Sequence, residues 1–137
     1  MTMKECQSFQ PLNHSLQVLE IQSFKHLLER EGESFVQQHY TKLERSVSDT
    51  GERWIQYLAG RWVAKSVITN LLGKDNNQSR FWLDIEILRL PTGQPFVKLF
   101  GQSQLLATRL GIKQWLLSIS HTAIYAVASV VVVIGMS

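Results

Sequence analysis

Cysteine is almost absent from this sequence, since Cys6 is the single example among 137 residues. One cysteine can form neither an intrachain disulfide nor a zinc site by itself, and such scarcity favours a reducing compartment. Residues Met1–Gln10 lack the apolar run of about 7–15 residues that marks a secretory signal. We therefore expect a cytoplasmic protein.

An excess of charge of one sign is also missing. The chain has 14 Lys and Arg residues against 11 Asp and Glu residues, a net charge of +3. So small an excess does not predict a nucleic-acid partner, and it suits a phosphorylated ligand or an acidic protein equally well. Gly-rich phosphate loops, Cys/His metal spacings and nucleophile elbows are absent too. No single motif therefore identifies the function.

A long hydrophobic run is the third absence. The most apolar stretch, residues 123–136, is shorter than the ~20 residues that a membrane-spanning helix requires. Valine dominates this stretch, and β-branched side chains fit a pleated strand better than a helix. We predict a buried strand here and no membrane span.

The composition that remains is that of an ordinary globular protein, with 45% hydrophobic and 18% charged residues. This length and composition predict one domain that buries its own core. Residues 1–15 show no clear periodicity. We assign them to an N-terminal lead-in and residues 16–137 to the domain.

Helical periodicity dominates the first half of the chain. We predict a first strand over residues 16–21, then a short helix ending at Gly32 and a second short helix over residues 35–40. After these helices, Thr41 and Glu44 have the spacing of a capping box. The longest helix is predicted from about residue 52 to residue 72, with Trp54 and Trp62 as core aromatics.

The second half changes to a period of two, which predicts a hairpin, a short helix and two further strands. These segments are strands 82–90 and 95–99 around a turn at 91–94, a helix capped by Ser103 and ended by Gly111, and strands 114–120 and 123–134. Asp84 and Glu86 share one face of the hairpin, where we predict a solvent-facing polar stripe rather than a paired-carboxylate site. The class is α+β, a long helix packed on a mostly antiparallel sheet.

Four segments, in this order, resemble the small holo-acyl-carrier-protein synthases of the 4′-phosphopantetheinyl transferase family. Each alone is weak evidence, but four in order with sensible spacings are specific for the fold. The segments are Val18–Ile21 followed by Phe24, Leu58–Lys65, Asp84–Ile87 with Thr92–Pro95, and Leu117–Thr122 with Tyr125 and Ala126.

The resemblance covers about residues 16–134 and implies the fold of that family. It implies coenzyme A and magnesium as cofactors, and an acyl carrier protein as the protein partner. It also implies a homotrimer with sites between neighbouring subunits. The implied activity is the transfer of 4′-phosphopantetheine from coenzyme A to a serine of the carrier protein.

Two family positions that carry magnesium-binding carboxylates are occupied here by Gln17 and Ser66, and a common lysine is replaced by Asn70. Magnesium prefers charged oxygen ligands, so two neutral donors should bind it poorly. Glu20 matches another family acid, but it is an odd number of residues from Gln17 and points to the other face of a regular strand. We therefore expect no magnesium at these positions.

Other family features remain. Arg61 and Lys65 are one turn apart on a helix, and the resemblance implies that both bind coenzyme A together with His121 at a strand end. The alternative interpretation is a pair of solvated surface charges and a structural histidine. If activity survives, Lys65 is the candidate catalytic residue.

Two functions therefore stay open. The first is a binding or structural protein with impaired catalysis, whose partner is a carrier protein or another protein. The second is an active transferase with a rebuilt metal site. The missing ligand charge favours the first, although kinship in fold cannot decide between them.

Overall fold

The computed structural model describes residues 12–73 and 80–135. Helices and antiparallel strands in these ranges confirm the predicted α+β class. In chain order the elements are β1 (Leu12–Glu20), α1 (Ile21–Glu31), α2 (Glu33–His39), a 3₁₀ turn (Glu44–Ser46), α3 (Gly51–Leu71), α4 (Arg80–Leu83), β2 (Ile85–Arg89), β3 (Pro95–Leu99), α5 (Gly101–Arg109), β4 (Ile112–His121) and β5 (Tyr125–Ile134).

The first strand begins at Leu12, earlier than the predicted boundary after residue 15. Residues 1–11 of the predicted lead-in lie outside the described residues, as do residues 74–79 between the predicted long helix and the predicted hairpin. Among the described helices, none combines the length and the apolar character needed to cross a bilayer.

The valine-rich run forms β5, the middle strand of a three-stranded antiparallel sheet in the order β1-β5-β4. Every second residue of β5 is buried, which confirms the predicted buried strand: Ala126, Ala128, Val130 and Val132. The small alanines leave room for a helix to lie against this inner face of the sheet.

The long helix α3 packs on that inner face, where it contacts all three strands. Its observed bounds, Gly51–Leu71, agree closely with the predicted helix. At the contact with β4, a β-carbon on Gly60 would lie 2.9 Å from Cγ2 of Ile119. Glycine therefore allows the helix and the strand to approach closely. Trp54 and Trp62 pack against the core as predicted.

The strands β2 and β3 form the predicted antiparallel hairpin. Its first strand is shorter than predicted, because Arg80–Leu83 form the helix α4. Within that helix Trp82 is buried and stacks on Trp62, with ring centroids 4.1 Å apart and an interplanar angle of 5°. Tertiary packing of two indole rings thus overrides the strand-like alternation of the sequence.

Two further predictions are wrong. Glu86 is buried and accepts a hydrogen bond from the Thr41 hydroxyl at 2.5 Å, so its carboxylate does not belong to a solvent-facing stripe. Ser103 does not cap α5, because the helix begins at Gly101 and Phe100 is its N-cap residue. The side chain of Ser103 is instead buried under the helix.

Candidate functional site: an arginine-lined cleft

A cleft of about 630 Å³ opens between the N-terminal half of α3, the end of β2 and the end of β4. Among the described residues its lining is cationic, with three arginines and a histidine against the single carboxylate of Asp49. Such a distribution of charge attracts an anionic ligand. The four basic residues are Arg53, Arg61, Arg89 and His121.

Arg61 is the buried arginine of the cleft, with only 3% of its surface exposed. Its guanidinium carbon lies 4.0 Å from the centroid of the Tyr57 ring. Nε of Arg61 donates to no acceptor within the described part of the chain. Burial lowers the pKa of Arg61, Tyr57 opposes that shift, and the positive charge of Arg89 adds to it. The site therefore holds a poorly solvated cation with an unused donor.

Arg53 and Arg89 are the exposed arginines of the same cleft. One guanidinium nitrogen of Arg89 donates to the carbonyl of Gly93 in the hairpin turn at 2.8 Å, which leaves its other donors available. Sequence reasoning missed both residues. Arg53 precedes Arg61 by eight residues, a helical spacing that signals a shared face, whereas only the tertiary fold brings Arg89 to α3.

His121 ends β4 and lines the cleft with Arg61, so the structure brings these two predicted site residues together. The turn after His121 is held by Thr122, whose hydroxyl accepts hydrogen bonds from the backbone N–H groups of Ile124 at 3.1 Å and Tyr125 at 3.0 Å. The exposed imidazole thus projects from an anchored strand end.

Lys65 does not reach the cleft, and the predicted ligand-facing pair of Arg61 and Lys65 needs correction. The ammonium of Lys65 is fully buried and donates to Oε1 of Glu44 at 2.6 Å. Its other two donors bind the carbonyls of His39 at 2.7 Å and Trp82 at 2.8 Å. Burial lowers the pKa of Lys65, and the Glu44 carboxylate opposes that shift. All three donors are occupied inside the protein, so none is free for a phosphate.

Glu44 is an organising residue whose role the sequence analysis missed. Its Oε1 also accepts from the N–H of Thr41, and its Oε2 accepts from the N–H of Ile87, both at 2.8 Å. The Thr41 hydroxyl accepts from the N–H of Glu44 at 3.2 Å, which completes the capping box that the spacing predicted. The spacing of Thr41 and Glu44 in the sequence therefore predicted the capping box. It did not predict that the Glu44 carboxylate is buried against Lys65 and β2.

Gln17 and Ser66 are not among the described residues that line the cleft. Gln17 is half-buried on the inner face of β1, Ser66 is buried on α3, and Asn70 is exposed on the same helix. Glu20 is exposed on the outer face of β1, opposite in direction to Gln17 as predicted, and accepts a hydrogen bond from Ser23 at 2.7 Å. Within residues 12–73 and 80–135, no three His, Cys, Asp or Glu side chains are grouped to hold a metal ion.

No protein-family model matches this chain. The holo-(acyl-carrier-protein) synthase of Dehalococcoides mccartyi is 39% identical over 114 residues, which cover 83% of this chain and 92% of that protein. The corresponding synthase of Gloeobacter violaceus is 38% identical over 108 residues, or 78% of this chain and 81% of that protein. A crystal structure of the Bacillus anthracis synthase in complex with CoA (3′,5′-ADP) has a TM-score of 0.72 and 25% identity, over 89% of this chain and 96% of that one. The chain belongs to the holo-(acyl-carrier-protein) synthase family.

Proposed function

We propose that this protein binds coenzyme A in the arginine-lined cleft but transfers phosphopantetheine poorly, and that it acts as a binding or structural protein. The observation that carries the proposal is the pair of neutral residues, Gln17 and Ser66, where the family resemblance implies magnesium-binding carboxylates.

The chemical reason lies in how phosphoryl groups are transferred. Transfer from a pyrophosphate depends on positioning and on neutralising the charge of the phosphate oxygens, which a divalent cation usually supplies. Magnesium is held by one or two carboxylates together with phosphate oxygens and water. An amide at Gln17 and a hydroxyl at Ser66 provide no negative charge, so these residues do not fit a magnesium ion.

The cleft itself supports binding of coenzyme A. The Bacillus anthracis relative was crystallised with CoA, and the cleft offers Arg61, Arg89 and His121 as donors to phosphate oxygens. The relatives are named for their action on an acyl carrier protein, which makes a carrier protein the first partner to test. The single cysteine of the chain agrees with function in the cytoplasm.

The outer face of the three-stranded sheet supports assembly with further subunits, and the family resemblance implies that these form a homotrimer. Leu16 and Val18 on β1 are 59% and 56% exposed, and the register places Leu116 of β4 on the same face. Contiguous exposed apolar residues on a sheet commonly mark a protein interface. We propose that the subunits of the trimer bury this face, which we call the outer sheet face (Leu16, Val18, Leu116, Tyr125 and Val127).

The second candidate is an active transferase that moves 4′-phosphopantetheine from coenzyme A to a serine of an acyl carrier protein. The observation that favours it is the shared position of Arg61 and His121 in one cleft. Lys65 would serve as its catalytic residue only if its ion pair with Glu44 opened, since the ammonium is fully buried.

The deciding experiment measures transfer from coenzyme A to a carrier protein in excess magnesium, for the natural chain and for the double variant Gln17→Asp with Ser66→Glu. We expect low turnover for the natural chain and a large gain for the double variant, because two carboxylates are restored. Gln17→Asn with Ser66→Gln is the matched control, which changes size similarly without adding charge. Robust turnover by the natural chain would establish the active alternative.

A further inference from the structure

We infer that the cleft binds the phosphate groups of its ligand without a divalent cation, because Arg53, Arg61 and Arg89 supply the positive charge that a metal ion would otherwise provide. This inference rests on the proposed binding of coenzyme A and specifies how that ligand is held.

The buried guanidinium of Arg61 is the first argument. Taking a charge out of water is costly unless a counter-charge or hydrogen bonds replace the lost hydration. No carboxylate of the described residues lies within ion-pair distance of Arg61, and its Nε has no acceptor there. Buried polar groups nearly always have partners in native structures, so an unpartnered one beside a cleft indicates where a ligand oxygen binds.

The balance of charge around Arg61 is the second argument. Arg53 and Arg89 line the same cleft, and Asp49 is the single acidic residue of its lining within the described ranges. Burial lowers the pKa of the Arg61 guanidinium, the charge of Arg89 adds to that shift, and Tyr57 and Glu44 oppose it. Like charges that line one cleft are stabilised by an anion between them, and guanidinium groups bind phosphate oxygens in pairs of parallel hydrogen bonds.

The same balance of charge opposes a metal ion. From the described part of the chain, a divalent cation in this cleft would meet three positively charged side chains and one carboxylate. Hard cations are bound by anionic oxygen instead. Arginines can neutralise the charge of phosphate oxygens in this cleft without a metal ion, since both act by electrostatic attraction to the oxygens. Metal-free binding follows directly from this set of side chains.

Isothermal titration calorimetry with 3′,5′-ADP, in matched buffers containing either magnesium or EDTA at one ionic strength, tests the inference. We expect the same Kd in both buffers. Binding that appears only with magnesium would overturn metal-free binding while leaving the proposed binding of coenzyme A intact. A lack of binding in both buffers would overturn the two proposals together, so the two failures are distinguishable.

A pair of exposed arginines provides matched variants. Arg89→Gln removes a cation from the cleft and should weaken binding about tenfold in both buffers, the usual effect of losing a charge-assisted hydrogen bond. Arg109→Gln on α5 removes the same charge outside the cleft and should leave the Kd unchanged. Both residues are exposed, and thermal melting verifies that both variants fold. Equal affinities for Arg89→Gln and Arg109→Gln would overturn the role of the arginines.

Discussion

The ammonium of Lys65 lies 2.6 Å from Oε1 of Glu44, and both side chains are fully buried. Through this ion pair and the bond from the N–H of Ile87 to Glu44, the helix α3 and the strand β2 are joined to the segment that follows α2. A charge pair in this position stabilises the native packing only while both partners are present, because either charge alone would be buried without a counter-charge.

Replacing Lys65 tests this relationship. We expect Lys65→Met to lower the free energy of unfolding by about 3–5 kcal/mol, the usual cost of leaving one charge of a buried pair unpartnered. The free energy is measured by urea denaturation followed through tryptophan fluorescence.

The control for Lys65→Met is the same substitution at Lys25, whose ion pair with Glu52 spans 3.5 Å with side chains 34% and 71% exposed. Exposed pairs contribute about 0–1 kcal/mol, so Lys25→Met should have little effect. Equal losses for the two variants would show that the buried pair has no special role.

The imidazole of His39 makes stability depend on pH. The ring stacks on Phe35 with centroids 4.2 Å apart, and its Nδ1 is 2.7 Å from the Phe35 carbonyl oxygen. The rings of Trp62 and Trp82 and the ammonium of Lys65 also lie near it. Burial lowers the pKa of His39 below its usual value of 6.5, the backbone bond opposes this shift, Lys65 adds to it, and Glu31 opposes it.

The sign of the pH effect follows from linkage. The unfolded chain takes up the His39 proton near pH 6.5 and the folded chain only at lower pH, so stability is lost as the pH falls through that window. Urea midpoints measured on both sides of pH 6.5 should therefore be lower on the acidic side. His39→Gln should flatten this dependence, whereas His26→Gln, at an exposed position of α1, should preserve it. An unchanged slope in His39→Gln would contradict the assignment.

The close contact between α3 and β4 predicts the outcome of Gly60→Ala. Alanine normally favours a helix over glycine by about 1 kcal/mol, so this substitution would stabilise a helix with free space around it. Here the new β-carbon would lie 2.9 Å from Cγ2 of Ile119, and we expect overpacking to cost about 1–3 kcal/mol instead. Gly60 and Ile119 both line the cleft, so binding of 3′,5′-ADP should also weaken.

Thermal melting and calorimetry measure the two effects of Gly60→Ala. The double variant with Ile119→Ala removes the atom that clashes and should recover binding relative to Gly60→Ala. A stabilising effect of Gly60→Ala would show that the helix and strand are less tightly packed than the structure indicates.

The proposal that a trimer buries the outer sheet face can be tested by one substitution. Val18→Lys places a charge on this apolar surface, and we expect it to convert a trimer into monomers, because burying an unpaired charge opposes association. Light scattering coupled to size-exclusion chromatography measures the mass. Leu105→Lys on α5 is the control, since Leu105 is also exposed but lies outside the outer sheet face. A natural chain that runs as a monomer would refute the proposed trimer.

The elements with strong periodicity could be predicted from the sequence. The helix α3 and the strand β5 follow from local patterns, since helical spacing and runs of valine each fit one kind of backbone. The position of His121 at a strand end followed from the same patterns and from the family resemblance. Each of these predictions depends on neighbours close in sequence, and each agrees with the structure.

The predictions that depend on distant contacts were less accurate. Arg61 and Lys65 are one turn apart, but Glu44 draws the lysine into the core while the arginine lines the cleft. Glu86 alternates like a surface residue, yet Thr41, 45 residues away in sequence, provides its hydrogen bond. The contribution of Arg89 to the cleft depends in the same way on where the hairpin packs. Periodicity shows that side chains share a face, but it does not show what covers that face.

The network around Glu44 implies that the cleft is preorganised. The 3₁₀ turn, α3 and β2 are joined by buried hydrogen bonds to this single carboxylate, so α3 and β2 cannot separate without leaving a charge unpaired. The entropy of positioning Arg61 opposite the hairpin is therefore lost when the chain folds rather than when a ligand arrives. A ligand then binds between elements, α3 and β2, that already have their final positions. Association therefore needs little rearrangement of the backbone.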